Sequence, residues 1–139
     1  MNEPYQLIEL PEIRDARGAL SFAQVGTQIG FPVKRLFHIY DVAEGEARGD
    51  HAHRAQHQFL IMFAGACTIT VDDGRSKTDI HLSRPNQALH APPMHWLTLK
   101  DFTPGAVCGV LTSGEYDEAD YIRDYSEFEA LTRGPEGAA

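Results

Sequence analysis

Two histidines separated by one residue, His51 and His53, are the side chains of this 139-residue sequence best suited to chemistry. On an extended strand, side chains at positions i and i+2 point to the same face, so both imidazoles can reach one point. Imidazole is a common metal ligand, and its unperturbed pKa also suits it to general acid–base catalysis. The pair therefore predicts a metal centre or a proton-transfer site, with ordinary polar residues on a sheet surface as the alternative.

Two more histidines follow the pair at a distance that keeps the metal hypothesis open. Together with His51 and His53, His57 and His95 could complete a three- or four-nitrogen site of the kind that Zn, Fe, Ni or Cu accepts. The alternative is that His57 faces outward and His95 lies on the pocket rim. Arg48 directly precedes the pair and adds a permanent positive charge.

Short apolar runs separated by turn signals surround these residues. Many short strands at regular spacing predict a sandwich or barrel. A single helix is expected over 117–131, where aromatic and aliphatic residues approach helical spacing, and 133–139 is expected to fray. The predicted strands are 5–10, 19–23, 33–41, 58–63, 67–71, 78–82, 87–91, 95–100 and 107–112.

The length and composition narrow the class of protein. A chain of 139 residues fits one domain, here 1–139, and a net charge of −8 argues against a nucleic-acid partner. No run approaches the ~20 apolar residues of a membrane span. Cys67 and Cys108 lie in apolar runs and are expected to be reduced core residues. We therefore expect a soluble cytoplasmic protein.

The histidine pair and its flanking glycines resemble the first cupin motif, in which a hairpin carries His-x-His. Gly49 precedes the pair, Gly65 follows the next predicted strand, and Pro92-Pro93 before His95 resembles the second motif's turn. The resemblance implies an all-β, single-domain cupin, a double-stranded β-helix or jelly-roll barrel, with a short C-terminal helical tail. Cupins usually carry a glutamate where this chain has His57 or Gln58.

A closer resemblance, covering about residues 10 to 128, is to the dTDP-4-keto-6-deoxyglucose 3,4-ketoisomerases, small cupins that prepare nucleotide sugars for amination. The residues that carry it are Val33-Lys34-Arg35, Arg48-Gly49-Asp50-His51-Ala52-His53, Asp72-Asp73-Gly74 and the segment from Glu115 to Tyr125.

The resemblance implies an isomerase of deoxysugar and polysaccharide biosynthesis that needs no cofactor. A base removes the C3 proton of a dTDP-linked 4-keto sugar, and protonation of the enediol at C4 leaves a 3-keto sugar. His51 and His53 take the catalytic role, and Arg48 binds the substrate. A homodimer with strands exchanged near the N-terminus is also implied. Further substrate-binding candidates are Arg17, Arg35, Phe37, His90, His95 and Trp96.

Two departures from the family pattern leave alternatives open. Phe37-His38 replaces two adjacent tyrosines, so the role of the lost phenol is vacant or has moved to His38 or His90. Leu97 replaces a basic residue, and His95 could compensate for it. A metal-dependent cupin using His51, His53, His57 and His95 is one alternative, and a non-catalytic sugar-nucleotide-binding cupin is another.

Overall fold

The computed structural model describes residues 3–138, with side chains as far as Arg133. Twelve strands precede a C-terminal helix, and a 3-10 helix, Glu118–Asp120, comes just before the last strand. The strands are Gln6–Glu9 (β1), Glu12–Asp15 (β2), Gly18–Ser21 (β3), Arg35–Tyr40 (β4), Arg48–His53 (β5), Gln58–Ala64 (β6), Cys67–Asp72 (β7), Lys77–Leu82 (β8), Gln87–Ala91 (β9), Trp96–Lys100 (β10), Val107–Thr112 (β11) and Tyr121–Ile122 (β12), and the helix is Tyr125–Ala138 (α1).

Two five-stranded antiparallel sheets hold the core between them. Their strand orders are β1-β9-β6-β11-β4 and β12-β5-β10-β7-β8. Alternate residues of both sheets point inward and form one cluster, which includes Leu60, Ile69, Leu89, Leu99 and Val110. The sheets do not close into a continuous barrel, and the mostly-β, cupin-like class expected from the sequence is confirmed.

The hairpin of β2 and β3 stands apart from both sheets. Its two strands pair only with each other among the described residues, and seven of the eight residues are exposed. Ile13 and Leu20 are 60% and 57% exposed. An isolated two-stranded hairpin is only marginally stable in water. The contacts within its own chain therefore give this hairpin little stability.

The segment expected to be one helix over 117–131 is divided in three. The 3-10 helix is followed by β12, where Ile122 is fully buried and pairs with Ala52 of β5. The side chain of Asp124 then accepts a hydrogen bond from the Ser126 amide at 2.9 Å, which caps α1. Burial of Ile122 against β5 prevails over helical spacing, so the prediction was wrong up to Asp124. The fraying predicted for 133–139 stays a prediction, because residue 139 and the side chains of 134–138 lie outside what the structure describes.

Both cysteines are buried and free, as the sequence predicted. Within residues 3–138, no helix is both long enough and apolar enough to cross a membrane.

Candidate active site

A cavity of about 830 Å³ opens between the inner face of β4 and that of β5. Its floor is apolar, formed by Leu60, Leu97, Leu99 and Val110. Its walls carry the groups that could do chemistry. These are the histidines His38 and His51, the arginines Arg35, Arg48 and Arg123, the tyrosines Tyr40, Tyr116 and Tyr121, and the carboxylates Asp41 and Glu46.

A backbone irregularity in β5 places the histidine pair. The register against β10 runs from Leu97↔His51 to Thr98↔Gly49, which leaves Asp50 as one extra residue, as in a β-bulge. Gly49 and Asp50 have φ angles of +92° and +59°. The Asp50 carboxylate accepts a hydrogen bond from the Thr98 hydroxyl at 2.6 Å, which holds the bend. Beyond the bend, His51 and His53 share one face of β5.

His51 is a neutral imidazole with one nitrogen available. Its Nδ1 lies 3.1 Å from the carbonyl oxygen of Gly49, an acceptor, so Nδ1 carries the proton and Nε2 keeps its lone pair. Burial, with the neighbouring His53 second, lowers the pKa of His51 to about 4. At neutral pH His51 is therefore an unprotonated base in the cavity wall.

His53 lies behind His51 and is more deeply buried, with 3% of its surface exposed. The two rings are 5.2 Å apart at their centroids and nearly perpendicular. Its Nδ1 lies 2.9 Å from Oδ2 of Asp120, and its Nε2 is buried without a hydrogen-bond partner among the described residues. Burial lowers the pKa of His53, and Asp120 opposes that shift.

Tyr121 completes a triangle of rings with the two histidines. Its ring centroid lies 4.8 Å from that of His51 and 4.4 Å from that of His53. The guanidinium carbon of Arg123 lies over the Tyr121 ring, 4.4 Å from its centroid. The sequence analysis missed Tyr121 because the segment was expected to be helical. Pairing with His53 across β5 and β12 is what brings it into the cavity wall.

Glu118 organises the rim of the cavity. Its carboxylate accepts bonds from Arg123 Nε at 2.6 Å and Nη2 at 3.0 Å, and from the Tyr116 hydroxyl at 2.5 Å. Arg123, then Tyr116, lowers the pKa of Glu118 to about 2, so the carboxylate stays ionised. The sequence indicated only that this segment is distinctive of the family, without roles for Tyr116, Glu118 or Arg123.

Three of the predicted substrate-binding residues line the same cavity as His51. These are Arg35, Phe37 and Arg48. Arg35 is half-buried and donates to the Thr112 hydroxyl at 3.2 Å and the Gln56 amide oxygen at 3.3 Å. Neither acceptor is charged, so the positive charge of Arg35 is not neutralised by them. Its guanidinium carbon also lies 5.3 Å from the centre of the Phe37 ring.

Four other predicted substrate-binding residues do not line this cavity. Arg17 is exposed at the β2–β3 turn and paired with Asp15 at 2.6 Å. Trp96 packs against α1, with its ring centroid 5.2 Å from that of Tyr125. His90 and His95 are both buried elsewhere in the molecule.

His90 and His95 have structural partners of their own. His90 Nε2 lies 2.9 Å from Nδ1 of His57, and both rings pack on Phe31, on the face of β6 and β9 that points away from the core. His95 Nδ1 lies 3.1 Å from the Pro92 carbonyl oxygen. In the described structure, neither His90 nor His95 therefore shares the cavity that His51 lines. His38, the other residue to which the role of the lost phenol could have moved, does line the cavity; it is exposed and stacks on Tyr40.

The four histidines of the metal hypothesis do not converge. His51 lines the cavity and His53 lies directly behind it, whereas His57 pairs with His90 on the other side of the sheet. Within the part of the chain that the structure describes, no group of three or more His, Cys, Asp or Glu side chains could hold a metal ion. The geometry thus favours proton transfer as the chemistry of His51 and His53.

Comparison with known proteins agrees with this reading. Residues 3–133 match the family model described as FdtA: WxcM-like, C-terminal. The chain is 37% identical over 123 residues to a TDP-4-oxo-6-deoxy-alpha-D-glucose-3,4-oxoisomerase of Aneurinibacillus thermoaerophilus, covering 88% of each chain.

Solved structures give the same result. A 3,4-ketoisomerase from Helicobacter canadensis superimposes with a TM-score of 0.90 at 37% identity, over 95% of this chain and 99% of that one. A histidine-to-asparagine mutant of the 3,4-ketoisomerase from Thermoanaerobacterium thermosaccharolyticum, in complex with TDP-4-keto-6-deoxyglucose, gives 0.92 at 32% identity, over 97% and 98%. On sequence and fold together, this chain belongs to the sugar 3,4-ketoisomerase family.

Proposed function

We propose that this protein is a nucleotide-sugar 3,4-ketoisomerase that converts a dTDP-4-keto-6-deoxyhexose to the 3-keto sugar through an enediol. The observation that carries the proposal is His51, an unprotonated imidazole in the wall of a cavity that also contains three arginines. The relatives named above act on, or are bound to, TDP-linked keto-deoxy sugars.

The reaction requires a proton to move between adjacent carbons. The ketone at C4 acidifies the C3–H bond, and Nε2 of His51 can accept that proton because Nδ1 holds its own proton against Gly49. The imidazolium exchanges its Nε2 proton with solvent and then protonates C4, which completes the isomerisation. The substrate is neither oxidised nor reduced overall, so this step needs no external electron acceptor.

The oxygens O3 and O4 also change protonation during the reaction. O4 gains a proton as the enediol forms, and O3 loses one as the new ketone appears. The Tyr121 hydroxyl is our candidate for both transfers, because its ring contacts His51 and lines the cavity where Phe37 offers no phenol. A phenol that gives a proton to O4 and regains one from O3 ends the cycle unchanged.

The cationic wall suits the diphosphate of a nucleotide sugar. Arg48 is exposed in the same cavity as His51, and the hydrogen-bond partners of Arg35 among the described residues are neutral, so both charges are available to a ligand. Guanidinium groups bind phosphate oxygens in a bidentate manner. The apolar floor at Leu97 and Leu99 would accommodate the methyl group of a 6-deoxy sugar without unpaired polar atoms.

The proposal is tested by incubating the protein with dTDP-4-keto-6-deoxyglucose in D2O and following the sugar by NMR. We expect a 3-keto product with solvent deuterium at C4. His51→Asn should lower turnover by at least about 100-fold while calorimetry still detects dTDP binding. His81→Asn is the matched control, because His81 is exposed on β8, where its Nδ1 lies 3.3 Å from the Thr68 hydroxyl, outside the cavity. Tight binding with no turnover by the wild type would instead identify a non-catalytic binder.

A homodimer is part of the proposal. Within residues 3–138 the strands of the β2–β3 hairpin pair only with each other, and they expose Ile13 and Leu20, which fits a segment that packs on a second copy. Arg17 lies at the turn of this hairpin and outside its own chain's cavity. The exchange of N-terminal strands implied by the family resemblance would bring it towards the partner's cavity, where it would bind substrate.

We also propose a cytoplasmic enzyme of deoxysugar and polysaccharide biosynthesis. Two buried free cysteines, Cys67 and Cys108, are what a reducing compartment permits. Burial raises the pKa of these thiols to about 11 and about 12, so neither is a reactive thiolate.

A further inference from the structure

Asp120 is a carboxylate in hydrogen-bond contact with His53 and is almost completely enclosed, with 7% of its surface exposed. It ends the 3-10 helix directly before Tyr121. Its Oδ2 lies 2.9 Å from Nδ1 of His53, and its Oδ1 accepts a hydrogen bond from the Ala55 amide at 2.7 Å. Each oxygen therefore has one fixed partner, one from a side chain and one from the backbone.

This arrangement selects one tautomer of His53. An ionised carboxylate only accepts hydrogen bonds, so the neutral ring must carry its proton on Nδ1 and leave Nε2 as an acceptor. That Nε2 is buried and has no protein partner among the described residues. A bare acceptor beside His51 and Tyr121 is the state that a proton carrier needs before it works.

The carboxylate also distinguishes His53 from His51. The Nδ1 of His51 meets a neutral carbonyl, whereas that of His53 meets a negative charge. A protonated imidazole is stabilised by the second kind of partner far more than by the first. We infer that Asp120 is a positioning residue for the isomerisation: it fixes His53 in the tautomer whose Nε2 accepts a proton and stabilises the ring once protonated. This inference rests on the proposed function and adds a role that neither histidine explains alone.

Asp120→Asn separates this role from a structural one. The new side chain has one oxygen, and the Ala55 amide, a donor fixed by the backbone, requires it. The amide nitrogen then faces Nδ1 of His53 and donates to it, so the histidine proton moves to Nε2. The variant keeps the size and burial of Asp120 but gives His53 the wrong tautomer.

The test combines nitrogen NMR with kinetics on the full chain. In protein labelled with 15N-histidine, His53 should show a protonated Nδ1 and an unprotonated Nε2, and Asp120→Asn should reverse them. We expect kcat to fall by at least about 100-fold with dTDP affinity unchanged. Asp117→Asn is the control, because Asp117 caps the same 3-10 helix by accepting from the Ala119 amide instead of contacting a histidine.

Several results would overturn the inference. One is a wild-type His53 protonated on Nε2, which can be measured even if Asp120→Asn does not fold. Another is an Asp120→Asn variant that keeps the wild-type kcat, or one that reverses the tautomer with no loss of rate. Absence of ketoisomerase activity in the wild type would contradict the proposed function, while the nitrogen shifts would still decide whether Asp120 fixes the tautomer.

Discussion

A Cβ atom at Gly49 would lie 2.8 Å from the carbonyl oxygen of Leu97, on the strand that pairs with β5. The contact occurs where the register of β5 against β10 shifts by one residue. Gly49 also has a φ of +92°, a region that side-chain-bearing residues rarely adopt. The bend that aims His51 into the cavity therefore requires glycine for two independent reasons.

Gly49→Ala should destabilise the fold by at least about 2 kcal/mol and lower kcat, because the strand must move away from Leu97 and carry His51 with it. Gly45→Ala is the control. Gly45 has a φ of +81°, but nothing lies within 4 Å of its added Cβ, so it should cost only about 1 kcal/mol of backbone strain. Urea unfolding and turnover measure both effects, and equal losses in the two variants would contradict the packing argument.

The same bend shows how far sequence reasoning reached. Alternation and turn signals predicted most strands, for instance Gln87–Ala91 and Val107–Thr112 exactly as observed. The histidine pair was correctly expected on one strand face. These features depend on local pattern, in which each residue's neighbours along the chain carry the information.

The positions of His57, His90 and His95 depend on contacts distant in sequence. His57 follows β5 by only four residues, yet its ring faces His90 across the β6–β9 pair. His95 follows Met94, whose φ is +65°, and its ring turns to the Pro92 carbonyl instead of continuing the inner face of β10. Periodicity contains no information about such turns, so the proposed four-histidine cluster was not found.

Tyr121→Phe tests the oxygen-side role. The ring contacts with His51 and His53 should survive, while the loss of the hydroxyl should lower kcat by about 100-fold. Tyr116→Phe is the matched control, since Tyr116 also lines the cavity but gives its hydrogen bond to Glu118. A Tyr121→Phe variant as active as Tyr116→Phe would rule out the phenol as the proton donor.

The pH dependence of kcat/KM should reflect the lowered pKa of His51. Because the base must be neutral and its pKa is about 4, activity should stay level as pH falls from 8 to about 5 and decline only near pH 4. An ordinary histidine would begin to lose activity near pH 6.5. Rates should be taken with circular dichroism at each pH, so that unfolding is not mistaken for titration. A midpoint near 6.5 would show that a different group limits the rate.

Acid should also weaken the fold itself. Burial, with His57 second, lowers the pKa of His90, and burial lowers those of His51 and His53. In the unfolded chain these rings take up protons near pH 6.5, but in the folded protein they resist protonation until lower pH. Stability is therefore present above pH 6.5 and is lost as pH falls below it.

We expect Tm at pH 5 to lie roughly 5 °C or more below Tm at pH 7.5. His90→Phe should reduce this difference, because it removes one titrating group while keeping an aromatic ring beside Phe31. His81→Phe should leave the difference unchanged, since His81 is exposed. Calorimetry at the two pH values measures it, and an unaltered difference in His90→Phe would contradict a contribution from that ring.

Leu20→Glu tests the homodimer. Leu20 is 57% exposed on β3, and a carboxylate there would be buried without a partner at an interface formed by the hairpin. Light scattering should give a dimer for the wild type and a monomer for Leu20→Glu. Leu131→Glu is the control, because Leu131 is 50% exposed on α1, away from the hairpin. A monomeric wild type, or dissociation by both variants, would contradict the hairpin interface.

Mixed dimers extend that test to Arg17. Suppose that Arg17→Ala and His51→Asn chains are each inactive and are then combined. If Arg17 acts in the partner's cavity, a mixed dimer holds one cavity with both defects and one with neither, so activity returns. If Arg17 acts in its own chain or only pairs with Asp15, no intact cavity is restored beyond what each parent has. Recovery on mixing would assign Arg17 across the dimer, and its absence would leave the cavity of each chain dependent on Arg35, Arg48 and Arg123 for its positive charge.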